Sequence, residues 1–137
     1  MSSPALPPDL VSSLLRSRPG VVGENFAMHW KLLPTPAGGV RPTGVLFLAV
    51  PKRQLARAVD RNLVRRIARE AWRAAGFAGK PVAVLLKLRR RPEWFAAAGV
   101  RQRRRLLRQE LDGLFAQRAV ARLSDTLRGS PGQEAGQ

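Results

Sequence analysis

The fold of this chain is decided by residues 52–73, KRQLARAVDRNLVRRIAREAWR. Placed on a helix from about Ala58, with ~100° between successive residues, this stretch separates into an apolar face and a basic face. The apolar face carries Val59, Leu63, Val64, Ile67, Ala68, Ala71 and Ala75. The opposite face carries Arg61, Asn62, Arg65, Arg66, Arg69 and Arg73. The pattern predicts a helix that packs against a core and presents guanidinium groups on its other side.

The plainer interpretation of these arginines is an ordinary solvated helix face. Such faces normally mix acids with bases, and acids are nearly absent here. Arginines four residues apart, such as Arg61 and Arg65, destabilise a helix by a few tenths of a kcal/mol per pair. A polyanion bound to the face would reverse the sign of that interaction, so the pattern favours nucleic-acid binding.

The composition supports the same conclusion. The 137 residues suit a single domain with one modest core. Lys and Arg number 25 against 9 Asp and Glu, which gives a net charge of +16. Such a charge favours binding to nucleic acid or to an anionic membrane. Nearly all the cations are arginines, whose planar fork matches phosphate geometry.

Several classes of catalytic site are excluded by residue content. The absence of cysteine excludes disulfides, thiolate metal sites and a thiol nucleophile. His29 is the single histidine, and the acids are scattered without the spacing of metal ligands. The segment before the basic helix, PKRQLARA, lacks the glycines of a nucleotide-binding loop. We therefore expect a binding protein with no catalytic residues and no metal ligands of its own.

Residues 25–33 alternate with period 2 and predict an antiparallel strand. One face carries Phe26, Met28, Trp30 and Leu32, and a wetter face carries Asn25, Ala27, His29 and Lys31. Phe26 and Trp30 have two interpretations, as core residues or as stacking platforms for bases. His29 is interpreted as an ordinary residue of the wetter face, because no acid nearby in sequence could orient it for acid–base chemistry.

Two apolar runs flank the basic helix. Residues 44–50, GVLFLAV, predict a central strand covered on both faces, and residues 82–86, VAVLL, predict a second buried strand. A strand, a helix and a strand at this spacing form a βαβ unit with parallel strands. The general preference makes such a crossover right-handed in ~98% of cases.

The remaining elements are helices at the two ends of one domain over residues 9–123. Asp9 can cap a short first helix with an apolar stripe of Leu10, Val11, Leu14 and Leu15. A long last helix is predicted over residues 101–123, with Leu107, Leu111, Leu114 and Phe115 facing inward. Residues 1–8 and 124–137 are expected to be disordered. The predicted fold class is α+β, a small two-layer α/β sandwich.

The basic stretch also resembles a known signature. The pairs Lys52-Arg53, Ala58-Val59, Arg61-Asn62, Arg65-Arg66 and Arg69-Glu70 resemble that of the bacterial ribonuclease P protein component. Leu63 departs from it, because that family has a second arginine there. The resemblance implies an αβββαβα order with a further short strand near residues 40–43. It also implies a left-handed βαβ crossover.

The resemblance implies a function as well. The chain would be the protein subunit of an endoribonuclease that removes the 5′ leader from precursor tRNA, with hydrolysis carried by the RNA subunit and its bound Mg²⁺. Its partners would be ribonuclease P RNA and the leader. The residues placed against RNA are Lys52, Arg53, Arg61, Asn62, Arg65, Arg66 and Arg69, and the helical pattern adds Arg73. The leader would occupy a cleft between the first helix and the sheet, with Phe26 and Trp30 as candidate linings.

Three alternatives stay open at this point. A ribosomal or other structural RNA-binding protein fits the composition equally well. A DNA-binding helix-turn-helix protein is less consistent, because a β-rich segment precedes the basic helix. A membrane-surface helix is least consistent, since flanking strands would use its apolar face. With no run near ~18 apolar residues and no export signal, we expect a cytoplasmic protein that binds neither membrane nor DNA and forms no oligomer of its own.

Overall fold

The computed structural model describes residues 9–33, 44–117, 120–123 and 126. Seven elements follow one another in the order αβββαβα that the resemblance implies. They are α1 (Leu10–Arg16), β1 (Val21–Val22), β2 (Phe26–Leu32), β3 (Val45–Ala49), α2 (Ala58–Ala74), β4 (Val82–Leu88) and α3 (Val100–Phe115). The predicted α+β class is confirmed. Within the described ranges, no helix is both long and apolar enough to cross a membrane.

The four strands form one sheet in the order β1-β2-β4-β3. β3 runs parallel to β4, so α2 makes the predicted βαβ connection, and the other neighbours are antiparallel. The handedness of this connection stays a prediction of the resemblance. β3 is an edge strand, and the prediction of a central strand there was wrong. All five of its residues are half-buried, whereas six of the seven residues of β4 are buried.

The additional short strand is β1, which precedes β2. Its two valines pair with Met28 and Ala27, and the Gly23 amide closes the turn by donating to the Phe26 carbonyl at 2.7 Å. A two-residue strand is too short to show a period in the sequence, which is why it was missed. The strand expected near residues 40–43 lies outside the described residues.

α2 and α3 pack on one face of the sheet, which we call the core face. Met28 and Val84 of the sheet meet Ile67 and Ala68 of α2 and Leu111 of α3 in one apolar cluster. The predicted apolar stripe of α2 is confirmed at its centre and wrong at its two ends. Val59 and Ala75 are exposed because they extend beyond the cluster.

α1 packs on the opposite face, which we call the α1 face. Leu10 and Leu14 of α1 form a second apolar cluster there with Leu33, Ala83 and Leu85. This corrects the prediction of a wetter face on β2. Its members Asn25, Ala27 and His29 are buried, and Lys31 alone is exposed.

Two buried polar residues, Asn25 just before β2 and His29 within it, have partners distant in the sequence. The Asn25 backbone amide and side-chain amide both donate to the Glu110 carboxylate, at 2.7 and 2.8 Å. His29 is 4% exposed, and its Nδ1 lies 3.3 Å from the Ser17 hydroxyl. Burial, assisted by the nearby Lys87 charge, lowers the pKa of His29, so its ring is neutral beneath α1 at physiological pH.

α3 ends at Phe115, whereas a continuous helix was predicted over residues 101–123. The chain turns at residues 116–117, and residues 120–123 are helical again. On an uninterrupted helix Val120 would lie about 180° from Leu111. The break allows both side chains to be fully buried in the same cluster. The disorder expected for residues 1–8 and 124–137 falls outside the described residues, except for residue 126, which is helical.

Glycine at position 44 allows the start of β3 to approach the turn after α2. A Cβ built on Gly44 would collide with the Phe77 carbonyl oxygen and lie 2.9 Å from that of Lys80. Backbone cannot move aside as a flexible side chain can. We therefore expect Gly44→Ala to lower the free energy of unfolding by ~1–3 kcal/mol, as for other overpacked sites. Urea denaturation monitored by circular dichroism would measure the change.

The matched control is Gly113→Ala in the interior of α3, where a new Cβ would meet nothing within 4 Å. It should raise the free energy of unfolding by up to ~1 kcal/mol, because alanine is the better helix former. Equal effects of the two substitutions would contradict the close approach at Gly44.

Candidate nucleic-acid interface

The arginines of α2 point away from the sheet because the opposite side of the helix is buried. Val64, Ile67 and Ala71 are in the core cluster. Five of the eight residues predicted to contact RNA come together on the outer side, in a shallow depression of ≈ 450 Å³ that we call the basic groove. Its lining is Asn62, Arg65, Arg66, Arg69, Glu70 and Arg73. The predicted basic face is therefore a continuous surface.

Both acids of α2 form ion pairs with arginines of α3. Asp60 Oδ1 lies 3.2 Å from Arg103 Nη1, and Glu70 Oε1 lies 3.8 Å from Arg108 Nη1. Within the described part of the chain, no carboxylate forms an ion pair with an arginine of α2. The guanidinium groups of α2 repel one another across one helical turn, and Glu70 is the one carboxylate among the residues described for their groove. An external polyanion would supply balancing negative charge.

Arg61 has a structural role that the sequence did not predict. Its Nη1 donates to the carbonyl oxygens of Leu55 at 2.9 Å and Ala56 at 2.8 Å. Leu55 is itself buried, so Arg61 and Leu55 together hold the connection between β3 and α2. The predicted RNA contact of Arg61 stays a prediction, and at least part of its guanidinium is engaged within the protein.

Lys52 and Arg53 lie outside the basic groove. Both are exposed in the turn over residues 52–54. Gln54 Nε2 donates to the Arg89 carbonyl at 2.9 Å, which places this turn beside the cationic segment that follows β4. Arg89 in turn donates to the Gly23 carbonyl at 2.7 Å. This contact could not be predicted from the sequence, because it joins residues 35 positions apart.

Phe26 and Trp30 do not line a cleft between α1 and the sheet. Phe26 is fully buried in the core cluster, and Trp30 packs against that cluster on the core face. The β3 side chains that pack against the apolar cluster of Leu10 and Leu14 are Val45, Phe47 and Ala49, all half-buried. We call them the β3 strip. Sequence reasoning missed Phe47 because it assigned β3 to the centre of the sheet.

Comparison with known proteins gave one informative result. No family model matches the chain, and no curated protein matches its sequence. Among solved structures, the RNase P protein from Thermotoga maritima, in complex with 1-(4-fluorophenyl)-2-thiourea, is similar with a TM-score of 0.52 and 20% sequence identity. The match covers 77% of this chain and 92% of that one. The chain therefore has the fold of a bacterial ribonuclease P protein, and the resemblance seen in the sequence is confirmed at the level of the fold.

Measurements of the free energy of unfolding can separate the structural role of Arg61 from the RNA-binding role predicted for the other arginines of α2. Arg61→Ala removes both hydrogen bonds to the connection before α2, and we expect it to lower the free energy of unfolding by roughly 1–3 kcal/mol. Arg66→Ala removes an exposed side chain that makes no hydrogen bond in the described structure. It should change the free energy of unfolding by no more than ~0.5 kcal/mol. Urea denaturation of both variants tests this, and equal stabilities would refute the structural role of Arg61.

Proposed function

We propose that this chain is the protein subunit of a bacterial ribonuclease P, which assists a catalytic RNA in removing the 5′ leader from precursor tRNA. The observation that carries the proposal is the arginine face of α2, whose arginines form no ion pair with a carboxylate of the described structure, on the fold of a ribonuclease P protein. The motif pairs quoted above add support, because they fall on this same helix and on the turn before it.

The basic groove is proposed to hold the RNA subunit. Its arginines can each bridge two phosphate oxygens through charge-assisted hydrogen bonds. Asn62 is exposed at the groove and can donate to, or accept from, a base edge or a 2′-hydroxyl. By neutralising phosphates the protein would reduce the Mg²⁺ concentration that the RNA needs to fold. In this proposal the RNA subunit and its Mg²⁺ carry the hydrolysis, and the chain contributes binding alone.

The leader is proposed to run along the β3 strip beside α1. Phe47 offers a partly exposed ring on which a base could stack, an interaction worth ~1–3 kcal/mol per base. Ala49 is in register with Lys87 of β4, which places a half-buried cation on the same face of the sheet at the end of the strip. An apolar platform next to a cation suits single-stranded RNA, whose bases are free to leave the stack.

Reconstitution tests the proposal directly. The purified protein, added to a bacterial ribonuclease P RNA at a Mg²⁺ concentration too low for the RNA alone, should restore cleavage of precursor tRNA at the 5′ leader junction. The protein without RNA should cleave nothing. Binding to the RNA without any stimulation of cleavage would favour another structural RNA-binding role. Cleavage by RNA-free protein that is lost on mutation of a chain residue would overturn the division of labour.

The second test asks whether the basic groove, rather than net charge, recognises the RNA subunit. Arg65→Ala combined with Arg66→Ala should weaken binding by a few kcal/mol, since a hydrogen bond to a charged group contributes ~1.5–3 kcal/mol. The fold should survive, because neither side chain belongs to the core cluster. Equilibrium binding to the isolated RNA subunit at fixed salt measures the loss.

The matched control is Arg101→Ala combined with Arg105→Ala. It removes the same charge from α3 at two exposed positions outside the grooves described for this chain. We expect it to cost much less affinity than the test pair. Arg103 is unsuitable as a control, because it holds Asp60 of α2. Equal losses for the two pairs would mean that attraction is spread over the whole surface.

A further inference from the structure

A second groove lies between the first turns of α2 and α3. It has a volume of ≈ 430 Å³, within the range of ~300–1,000 Å³ typical of ligand pockets. We call it the inter-helix groove. Asn62 and Arg66 line both this groove and the basic groove, so the two form one continuous surface.

The floor of the inter-helix groove is apolar and open to solvent. Val59 of α2 is 61% exposed and Val100 of α3 is 60% exposed, and between them Leu63 is half-buried. Single exposed apolar side chains are common on protein surfaces. Here two of them share one concavity with Leu63, and ligand pockets combine such apolar linings with a few polar groups. The fold does not require the two valines, because both lie outside the core cluster.

Arg103 holds the two walls together. Its Nη1 lies 3.2 Å from Asp60 Oδ1, its Nε donates to the Phe95 carbonyl at 2.8 Å, and its guanidinium stacks 4.1 Å above the Phe95 ring. Arg103 is therefore occupied and cancels the charge of Asp60. The contact with Asp60 ties the start of α3 to α2, and the two contacts with Phe95 hold the Arg103 side chain against the segment before α3.

The rim is left with uncompensated positive charge. Arg57, Arg66 and Arg104 line the groove, and none of them forms an ion pair with a residue that the structure describes. The groove thus combines an apolar floor with three guanidinium groups that have no ion-pair partner among the described residues. Its ligand should have a flat apolar surface attached to more than one anionic group.

We propose that the inter-helix groove binds one unpaired nucleotide of RNA, with its base on the valine floor and its flanking phosphates on Arg57, Arg66 and Arg104. The identity of the ligand as RNA rests on the proposed function. A nucleotide fits better than an acidic peptide because the neighbouring phosphates continue directly into the basic groove. The nucleotide must be unpaired, because a base within a duplex has both faces covered by its neighbours.

The test compares Val59→Ser combined with Val100→Ser against the wild type, using a single-stranded oligoribonucleotide and a blunt-ended, fully paired RNA duplex of equal length. We expect the double substitution to weaken single-strand binding by about tenfold, because two apolar contacts to the base are lost. Duplex binding should be unchanged. The dependence of affinity on salt should also be unchanged, since no phosphate contact is lost. Arg104→Gln should instead reduce the slope of log K against log salt by ~0.7.

Val22→Ser provides the control, because Val22 is similarly exposed at 54% but lies on β1, away from both grooves. It should bind both RNAs as the wild type does. Unchanged single-strand affinity in the double variant would overturn the proposal and favour an acidic peptide as the ligand. An equal loss for the single strand and the duplex would also overturn it.

A second measurement does not depend on the serine variants. The chain has no cysteine, so Val100→Cys gives a unique thiol for a photoreactive group. Crosslinking to the single-stranded oligoribonucleotide is expected from position 100 and not from a matched Val22→Cys variant. Equal crosslinking from both positions would overturn the proposal. Reconstituted cleavage is scored separately, so selective single-strand binding without stimulated cleavage would uphold the groove and refute the proposed function.

Discussion

The contact of Ile67, Ala68 and Ala71 of α2 with the core face of the sheet is the constraint on which the surface chemistry depends. Two of these residues are alanines with almost no exposed surface, so the helix lies close to the sheet and has little freedom to rotate about its axis. A rotation would bring a guanidinium into the apolar cluster, and an unpaired buried charge costs several kcal/mol. The core therefore fixes the direction of every arginine on the opposite side.

α3 contributes to the interface through the ion pairs that its arginines form with α2. Its arginines take both acids of α2, and one of these pairs, Asp60 with Arg103, is largely shielded from water. A shielded ion pair is weak grounds for a gain in stability, because the desolvation of both groups offsets the attraction. Its clearer effect is geometric. It sets the separation of the two helix starts and removes the negative charge that would otherwise weaken phosphate binding on α2.

The periodicity of the sequence was informative where an element is long and packs on one side. The 17 residues of α2 are helical from Ala58 as predicted, and the basic face follows from that alone. The alternation of β2 was also correct, but the conclusion that one of its faces is wet was wrong. Asn25 is buried because Glu110, 85 positions away, accepts both of its hydrogen bonds. Long-range partners of this kind leave no local signal in the sequence. The edge position of β3 leaves none either, and the prediction therefore placed Phe26 and Trp30 in the cleft instead of side chains of β3.

Leu63 connects the departure from the resembled signature to the architecture. Where the resembled family has arginine, this chain has a leucine that packs against the core cluster and contributes to the floor between Val59 and Val100. An arginine there would have to extend across the inter-helix groove, past two exposed valines, to reach solvent. The position that carries a leucine instead of an arginine is therefore part of an apolar concavity, and three arginines line the rim of that concavity. Contacts to an apolar floor release no counterions. Binding affinity at this position would therefore depend less on salt concentration and more on the shape of the ligand.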